Sequence, residues 1–472
     1  MKIEKFKEIT SYISEIIKGT EFENHVFAVG GSVRDYVMGK DIKDIDLVIN
    51  LPQGGTKFAQ YCKDNNLTHT VVIYETYGTA MFKFYKYPDE EIECVMTRAE
   101  KYSKGSRNPV TKYASLKTDA FRRDFTINAL YYNVSTGRVK DVTKMGLDDI
   151  KNKIIRCPLE DVNTTFNDDP LRIMRCIRMA TVLGFDIDKK TYEGLIENRY
   201  GLNIISRERI RDEFSKILVS KNPVYGVRTL CETKVMDFVD NTFRHMMGME
   251  QNEYHFGDVY EHTMAVLEYY QNHYEPDLIN ALACICHDYG KIETQIRKDN
   301  KVHFYEHEVY SVKYAQKMLY NLKFDNKTVK KVSWLVRNHM RTKNFGNDCC
   351  KMKEKSFNKL VYECGTTEMY IRLCKLIECD NMSHAPEHNV TGQFDYFMKH
   401  INNPMFGYKL PISGDDIMYS LELEPCKEVQ EIKDKLLKQA FARPTITETE
   451  CYRQLPSLLK QVKNEKKMKK SK

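Results

Sequence analysis

No stretch of this 472-residue chain approaches the ~18 uninterrupted apolar residues that a membrane-spanning helix needs, so no membrane partner is expected. The opening MKIEKFKEITSYISEIIKG alternates charge with apolar side chains and lacks the compact apolar block of a secretory signal; the expected compartment is the cytoplasm. Nor does CxxC occur. The 14 cysteines are scattered from Cys62 to Cys451, with one Cys284-x-Cys286 and one Cys349-Cys350 pair, which argues against a zinc ribbon or a disulfide framework and for reduced core thiols. There is no internal repeat, and only the Lys-rich tail is low in complexity. With 42% hydrophobic and 29% charged residues the chain is not wholly disordered.

Charge is unevenly placed. The net charge is +7, but residues 463–472 carry six Lys against one Glu, which leaves little for the remainder. Between Arg98 and Arg123 there are eight Lys/Arg against Glu100 and Asp119; with Gly105, Ser106, Asn108 and Pro109 inside it, this segment reads as a mobile basic loop.

Strand and helix signals alternate over the first 150 residues, whereas helical periodicity dominates after residue 170. At about 150 residues per domain, some three domains are expected. The boundaries read as a head at 1–150, a helical neck and body at 151–245, a helical unit at 246–385 and a C-terminal helical segment with the basic tail at 386–472. Strands fit 25–29, 45–49, 68–74, 80–85 and 91–97. Helices fit 170–184, 190–198, 206–219 and 222–232, then 258–271, 277–287, 306–322, 326–340 and 364–383, with a helical return at 413–463.

The triplet Asp44-Ile45-Asp46 opens a strand. Period-two alternation sends Ile45 and Leu47 into the core and both carboxylates to one face, where their repulsion calls for a cation such as Mg²⁺, an oxygen-seeking ion that leaves sites open for phosphates. Glu93, on the apolar strand EIECVM, is a candidate third carboxylate. By itself a DxD is also what a solvated strand edge looks like. Its context is Gly30-Gly31-Ser32 with Arg34, between a strand and a helix, where a turn lacking Cβ atoms lets backbone N–H groups approach phosphates.

The run Gly30-Gly31-Ser32-Val33-Arg34-Asp35 followed by Asp44-Ile45-Asp46 resembles the first motif of the class II tRNA nucleotidyltransferases (CCA-adding enzymes) and the related bacterial poly(A) polymerases. Arg122-Arg123-Asp124-Phe125-Thr126-Ile127-Asn128-Ala129 resembles their second motif. Asp168-Asp169-Pro170-Leu171-Arg172 is similar to their base-selecting motif, with Asp168 in place of the usual Glu, and Ser206-Arg207-Glu208-Arg209-Ile210 is similar to a later neck motif. The resemblance implies an α+β fold with a polymerase-β-like head, an all-α neck and body, and template-independent addition of CCA to tRNA 3′ ends from CTP and ATP by two-metal chemistry. On that footing Asp44, Asp46 and Glu93 are catalytic. Gly30, Gly31, Ser32, Arg34, Arg123, Asp124, Asp169, Arg172, Arg175 and Arg209 bind nucleotide, and the basic loop moves during the switch from CTP to ATP.

Base choice has a chemical rationale. Cytosine and adenine both present an amino donor beside a ring-nitrogen acceptor, which one carboxylate and one guanidinium, here Asp169 and Arg172, satisfy; guanine and uracil present the reverse and would leave buried groups unpaired at roughly 1–3 kcal/mol each.

Farther along, His262, His287-Asp288, His307, His339 and Asp380 form an ordered set H…HD…H…H…D that resembles the HD phosphohydrolase superfamily. The resemblance implies an all-α HD domain. Imidazole and carboxylate suit Ni²⁺, Mn²⁺, Co²⁺, Fe²⁺ or Mg²⁺ better than a thiolate zinc site does. Asp288 would bind or bridge metal for phosphate-ester hydrolysis. Two alternatives follow from shared parts: a poly(A) polymerase, or a protein whose principal activity is the HD hydrolase.

Overall fold

The computed structural model describes residues 1–74, 78–101, 110–252, 255, 257–342 and 352–470. The chain divides into two compact units, Met1–Phe243 and Arg244–Lys472.

In the first unit, helix Ile3–Ile17 presents Phe6, Ile9, Ile13 and Ile17, one apolar face at helical spacing, to a sheet. The strands are β1 (Val26–Val29), β2 (Ile45–Ile49), β3 (Thr68–Tyr74), β4 (Thr79–Phe84), β5 (Ile92–Met96), β6 (Arg98–Lys101), β7 (Val110–Tyr113), β8 (Leu130–Asn133) and β9 (Arg138–Asp141). Seven of them form one sheet in the order β3-β4-β5-β2-β1-β8-β9, while β6 and β7 pair separately. Only β2 and β5 run parallel within that sheet.

Alternation divides the faces of β2. Ile45, Leu47 and Ile49 join the larger core against Ile3–Ile17 and helix Gly54–Asp64, whereas Val48 packs on the other face with Phe27, Val29, Leu116, Ala120, Ala129 and Tyr131. Asp46 lies on this second face.

The stretch expected as a mobile basic loop is ordered at both flanks: β6 pairs antiparallel with β7, and Leu116–Phe121 is a helix. Buried Asp119 and the ion pairs around it tie these flanks down. The middle of that stretch, 102–109, lies outside the described residues.

The neck is built from helices Leu171–Leu183, Lys189–Asn198, Arg207–Leu218 and Pro223–Glu232. It is not wholly α. Gly184, at φ +69°, ends its helix in the left-handed conformation and turns the chain back, so that β11 (Asp186–Ile187) lies parallel to β10 (Ile154–Ile155).

The second unit is mostly helical, with Val259–His273, Leu278–Cys286, His307–Asn321, Asn326–Asn338, Glu354–Cys364 and Thr367–Asn381. It too departs from all-α. A hairpin pairs β12 (Gln295–Lys298) with β13 (Lys301–Phe304), because Asp299 and Asn300 both take positive φ, the conformation of a tight two-residue hairpin turn. The expected helical return over 413–463 is three helices, Gly414–Leu421, Lys427–Ala440 and Glu448–Lys470, around their own cluster of Ile417, Ile432, Leu436 and Leu455. Among the described residues no helix is long and apolar enough to cross a membrane.

Candidate active site and metal centre

Asp46 and Glu93 occupy paired positions on the parallel strands β2 and β5, so their side chains share a face. Asp44 differs from expectation: it precedes β2 and is exposed, placed at the strand's mouth rather than in the ladder. Asp46 is held up to about 6, first by burial and then by the charge of Glu93, with Arg123 opposing and Asp44 adding to the rise. A carboxylate that is costly to ionise beside two others is the arrangement a hard divalent cation relieves, and an all-oxygen donor set fits Mg²⁺.

Gly30 takes φ +77°, and a Cβ there would stand 3.7 Å from Asp46 Oδ2 and 3.9 Å from Arg123 Nη1. The glycine thus brings backbone against both groups, and helix Gly31–Val37 starts at once. Ser32 is buried, and its hydroxyl donates to the Val29 carbonyl at 2.9 Å; its side chain serves the turn. Arg34 binds Asp35 at 2.8 Å and donates to Asn128 Oδ1 at 3.0 Å, linking the first motif to the second.

Arg123 donates through Nε (3.3 Å) and Nη2 (3.0 Å) to Asp119 Oδ2 and through Nε to the Tyr131 hydroxyl (3.2 Å). Asp124 accepts from Arg175 (2.6 and 3.1 Å) and Asn128 (3.0 Å); although burial opposes ionisation, these partners hold its carboxyl well below the usual range. Asp119, Tyr131 and Asn128 were not singled out from the sequence. The available signal was Asp119 standing three and four residues before two arginines on a helix.

In the neck, Arg172, Arg175 and Arg178 recur every three residues, and each binds a protein partner. Arg172 is buried and donates to the carbonyls of Thr165 (3.1 Å) and Arg122 (2.8 Å); Arg175 binds Asp124, and Arg178 binds Glu213. The side chain paired with Asp169 is Arg209, at 3.3 Å, rather than Arg172, which meets Asp169 only through its own backbone N–H. Asp169 and Arg209 both remain partly exposed.

The second unit gathers all six histidine and aspartate residues of the HD set. His262 lies on Val259–His273, His287 and Asp288 follow Leu278–Cys286, His307 opens its helix, His339 caps Asn326–Asn338, and Asp380 lies on Thr367–Asn381. Gly290 makes the juxtaposition possible: a Cβ there would meet His307 O at 2.0 Å. Two ligand groups of the HD set result, His262, His287 and Asp380, and Asp288, His307 and His339, and a third joins His255 to His262 and Asp288. Asp288 spans them, with Oδ2 3.2 Å from His287 Nε2 and Oδ1 3.2 Å from His307 Nε2.

Each imidazole sets Nδ1 against a backbone carbonyl: His262 on Ser383 (3.2 Å), His287 on Cys284 (2.8 Å), His307 on Phe304 (2.9 Å) and His339 on Val336 (2.7 Å). A carbonyl only accepts, so Nδ1 carries the proton and a neutral ring turns its Nε2 lone pair inward. The Nε2 atoms of His262 and His287 then face each other at 3.4 Å, and those of His307 and His339 at 3.3 Å. Burial keeps His262 below its usual value and brings His339 down to about 3, so neither is protonated near neutral pH, whereas His287, although buried, is raised by the Asp288 carboxylate beside it. Facing lone pairs in a buried site fit a cation between them, and the nitrogen and carboxylate donors suit a divalent transition metal.

A cleft of about 560 Å³ opens onto Asp288 and His307. His255, Lys291, His303 and His384 line it as well. Of these, Lys291 Nζ sits 2.7 Å from Asp288 Oδ2 and donates to Gln251 at 2.6 Å. These residues escaped the sequence reading because none falls in the H…HD…H…H…D order.

Residues 26–156 match the family described as the poly A polymerase head domain, residues 184–240 that of the probable RNA- and SrmB-binding site of polymerase A, and residues 259–362 the HD domain. The chain is therefore a nucleotidyltransferase head and neck followed by an HD domain. Its head and neck resemble those of the tRNA nucleotidyltransferases (CCA-adding enzymes) and poly(A) polymerases. It is 35% identical over 231 residues to the mitochondrial CCA tRNA nucleotidyltransferase of Candida glabrata, an alignment covering 44% of this chain and 42% of that protein. To the CCA-adding enzyme of Streptococcus thermophilus it is 33% identical over 231 residues, 48% and 53% of the two chains. The chain thus spans about half the length of these curated relatives. The crystal structure of the Bacillus stearothermophilus CCA-adding enzyme in complex with CTP shares the fold, with a TM-score of 0.67 at 18% identity over 98% of both chains.

Proposed function

We propose that this protein extends the 3′ end of tRNA without a nucleic-acid template, completing CCA from CTP and ATP. One observation carries the reading: Asp46 and Glu93 stand at paired positions on β2 and β5, with Asp44 at the mouth of β2, beside the Gly30 turn and Arg123. The matched relatives named as CCA-adding enzymes support it.

Asp44, Asp46 and Glu93 would hold Mg²⁺, which when bound activates the attacking hydroxyl and neutralises the leaving pyrophosphate. Gly30 and Gly31 admit the triphosphate close to the backbone, Arg123 supplies a fixed positive charge there, and Asp124, locked by Arg175, meets the ribose. Asp169 with Arg209 frames the base edge, accepting from an exocyclic amine and donating to a ring nitrogen, while Arg172, held on the carbonyls of Thr165 and Arg122, supports the neck behind them.

The test is direct. Purified protein receives tRNA lacking CCA with each nucleoside triphosphate singly and together, and the products are sequenced. CCA ends support the proposal; a long A tract made from ATP alone on unrelated RNA replaces it with poly(A) synthesis.

A second activity is favoured by the inward-facing imidazoles of the HD unit: metal-dependent hydrolysis of phosphate esters, with Ni²⁺, Mn²⁺, Co²⁺, Fe²⁺ or Mg²⁺ as the candidate ion.

A further inference from the structure

One buried carboxylate in the head does two jobs with its two oxygens. Asp119 is fully buried. Its Oδ2 accepts from Arg123 Nε (3.3 Å), Arg123 Nη2 (3.0 Å) and the Tyr131 hydroxyl (2.7 Å). Its Oδ1 accepts from the Arg98 backbone N–H (3.2 Å) and from Arg122 Nε (3.0 Å) and Nη2 (2.6 Å). We propose that Asp119 is the positioning residue of the nucleotide site, aiming Arg123 with one oxygen while the other ties that site to the β6–β7 hairpin. The proposal rests on the nucleotidyl-transfer reading of the head.

The geometry on each side is specific. With Nε and Nη2 engaged on Asp119, Arg123 turns Nη1 to the opposite side, 3.9 Å from where a Cβ on Gly30 would stand and beside Asp46. A guanidinium clamped in this way on a carboxylate keeps one orientation and loses little freedom when phosphate or ribose oxygens arrive. On the hairpin side, Arg122 also donates to the Arg98 carbonyl (2.9 Å) and to Glu100 (2.9 Å), and Arg98 Nε reaches the same Glu100 oxygen (2.8 Å). The Arg122 carbonyl in turn accepts from Arg172 at 2.8 Å. Hairpin and metal-side arginine therefore converge on the Asp119 side chain, with Arg172 joined to the same turn through the Arg122 carbonyl, and a shift of the hairpin changes what Oδ1 holds and how Arg123 points.

The experiment compares wild type with Asp119→Asn and Tyr131→Phe, using CTP and ATP as probes. It measures equilibrium nucleotide binding, steady-state addition to tRNA, thermal melting, and backbone hydrogen exchange at 98–101 and 110–113 with and without CTP. Asparagine leaves one acceptor oxygen and turns an amide toward a guanidinium. The expected result is CTP-dependent protection of the hairpin in wild type that is lost in Asp119→Asn, with KM for both nucleotides raised about tenfold or more and a smaller fall in kcat. Folded Asp119→Asn with KM within about twofold of wild type, or with hairpin protection intact, overturns the proposal. If Asp119→Asn does not fold, Tyr131→Phe decides: an increase of about threefold in KM supports the proposal and an unchanged KM overturns it. A wild-type protein that binds CTP but does not extend tRNA ends the tRNA reading alone, because the binding and exchange arms still test Asp119; one that binds neither nucleotide overturns both.

Discussion

Asp46 on β2 lies directly opposite Glu93 on β5, the one parallel pairing in the seven-stranded sheet. Parallel register puts both carboxylates on the face away from Ile45 and Leu47. Their mutual repulsion, added to burial, is what lifts Asp46 toward 6, and it marks the place where the fold is built to receive positive charge.

Replacing Asp46 by Asn, or Asp44 by Asn, is expected to lower kcat for both CTP and ATP by at least about 10³ while tRNA affinity stays within about threefold, since these side chains act on the reacting centre. Glu93→Gln should cost less, about 10- to 100-fold, because Glu93 is exposed at the edge of the set. Single-turnover rates on tRNA ending in CC check both; a variant at Asp46 within about tenfold of wild type would remove it from the reaction.

Acid stability should report on Asp119. Its carboxyl is lowered to about 2 in the folded protein: burial opposes ionisation, and Arg123 and Arg122 overcome it. A depressed value contributes stability that is fully present above the unfolded value near 4 and is lost as pH falls toward 2. The contribution is roughly 2 kcal/mol at neutral pH. Urea midpoints measured from pH 6 to 2 should fall across the lower part of that window in wild type, and Asp119→Asn should show a shallower fall from a lower starting stability. An identical acid limb in the two proteins would show that Asp119 is not held ionised by its arginines.

Much of the head could be read before its structure was seen, because strands such as 45–49 and 68–74 carry β-branched runs between turns and coincide with β2 and β3. Helix Gly54–Asp64 was missed for a physical reason. Its two leading glycines look like loop, yet a Cβ on Gly54 would come within 2.6 Å of Ile49 and one on Gly55 within 2.6 Å of the Cys94 carbonyl; they are there for close helix-to-sheet contact. Ion-pair partners were the least legible feature. Motif order suggests Asp169 with Arg172, but only the fold brings Arg209, forty residues on, to the Asp169 carboxylate and turns Arg172 inward to carbonyls. The histidines were legible as an ordered set, whereas the carbonyl behind each Nδ1 depends on tertiary packing.

Base selection should separate those two arginines. Arg172→Ala removes a buried guanidinium that satisfies two carbonyls, so its main effect is expected on stability, about 2–4 kcal/mol, with all nucleotides slowed together. Arg209→Ala removes a partly exposed partner of Asp169 and should cost under about 1 kcal/mol, while misincorporation of UTP relative to CTP rises about tenfold. Competition assays with paired nucleotides read the ratio. Unchanged selectivity in Arg209→Ala and in Asp169→Ala would reduce this pair to a neck ion pair.

Gly290→Ala tests how the second unit assembles its ligands. The added Cβ would overlap His307 O at 2.0 Å and the Ser311 backbone nitrogen at 2.4 Å, contacts with backbone that has nowhere to yield. A destabilisation of about 3 kcal/mol or more is expected, together with metal bound more weakly because His307 is pushed away from Asp288. Melting of the full chain followed by a probe specific to residues 244–472, alongside metal content, checks both. Wild-type melting would mean that the helices adjust without cost.

Asp288 carries the sharpest prediction for the metal centre. It is the only carboxylate within 3.2 Å of imidazoles from both ligand groups among the described residues, so Asp288→Asn should impair both groups at once, whereas His339→Ala removes a donor from one. Protein purified without chelator is expected to contain transition metal, reduced about tenfold or more in Asp288→Asn and less in His339→Ala. Any metal-dependent hydrolysis of phosphate esters should vanish in Asp288→Asn, while nucleotide addition by the head stays within about twofold of wild type. Removing the negative charge also leaves buried Lys291 facing an amide, so melting must be followed in parallel; a variant that melts as wild type yet has lost metal isolates the ligand role. Wild-type protein that holds no metal and hydrolyses nothing after Ni²⁺, Mn²⁺, Co²⁺ or Mg²⁺ is supplied would reduce the inward-facing imidazoles to a structural cluster, and their facing lone pairs would then require protonation to coexist.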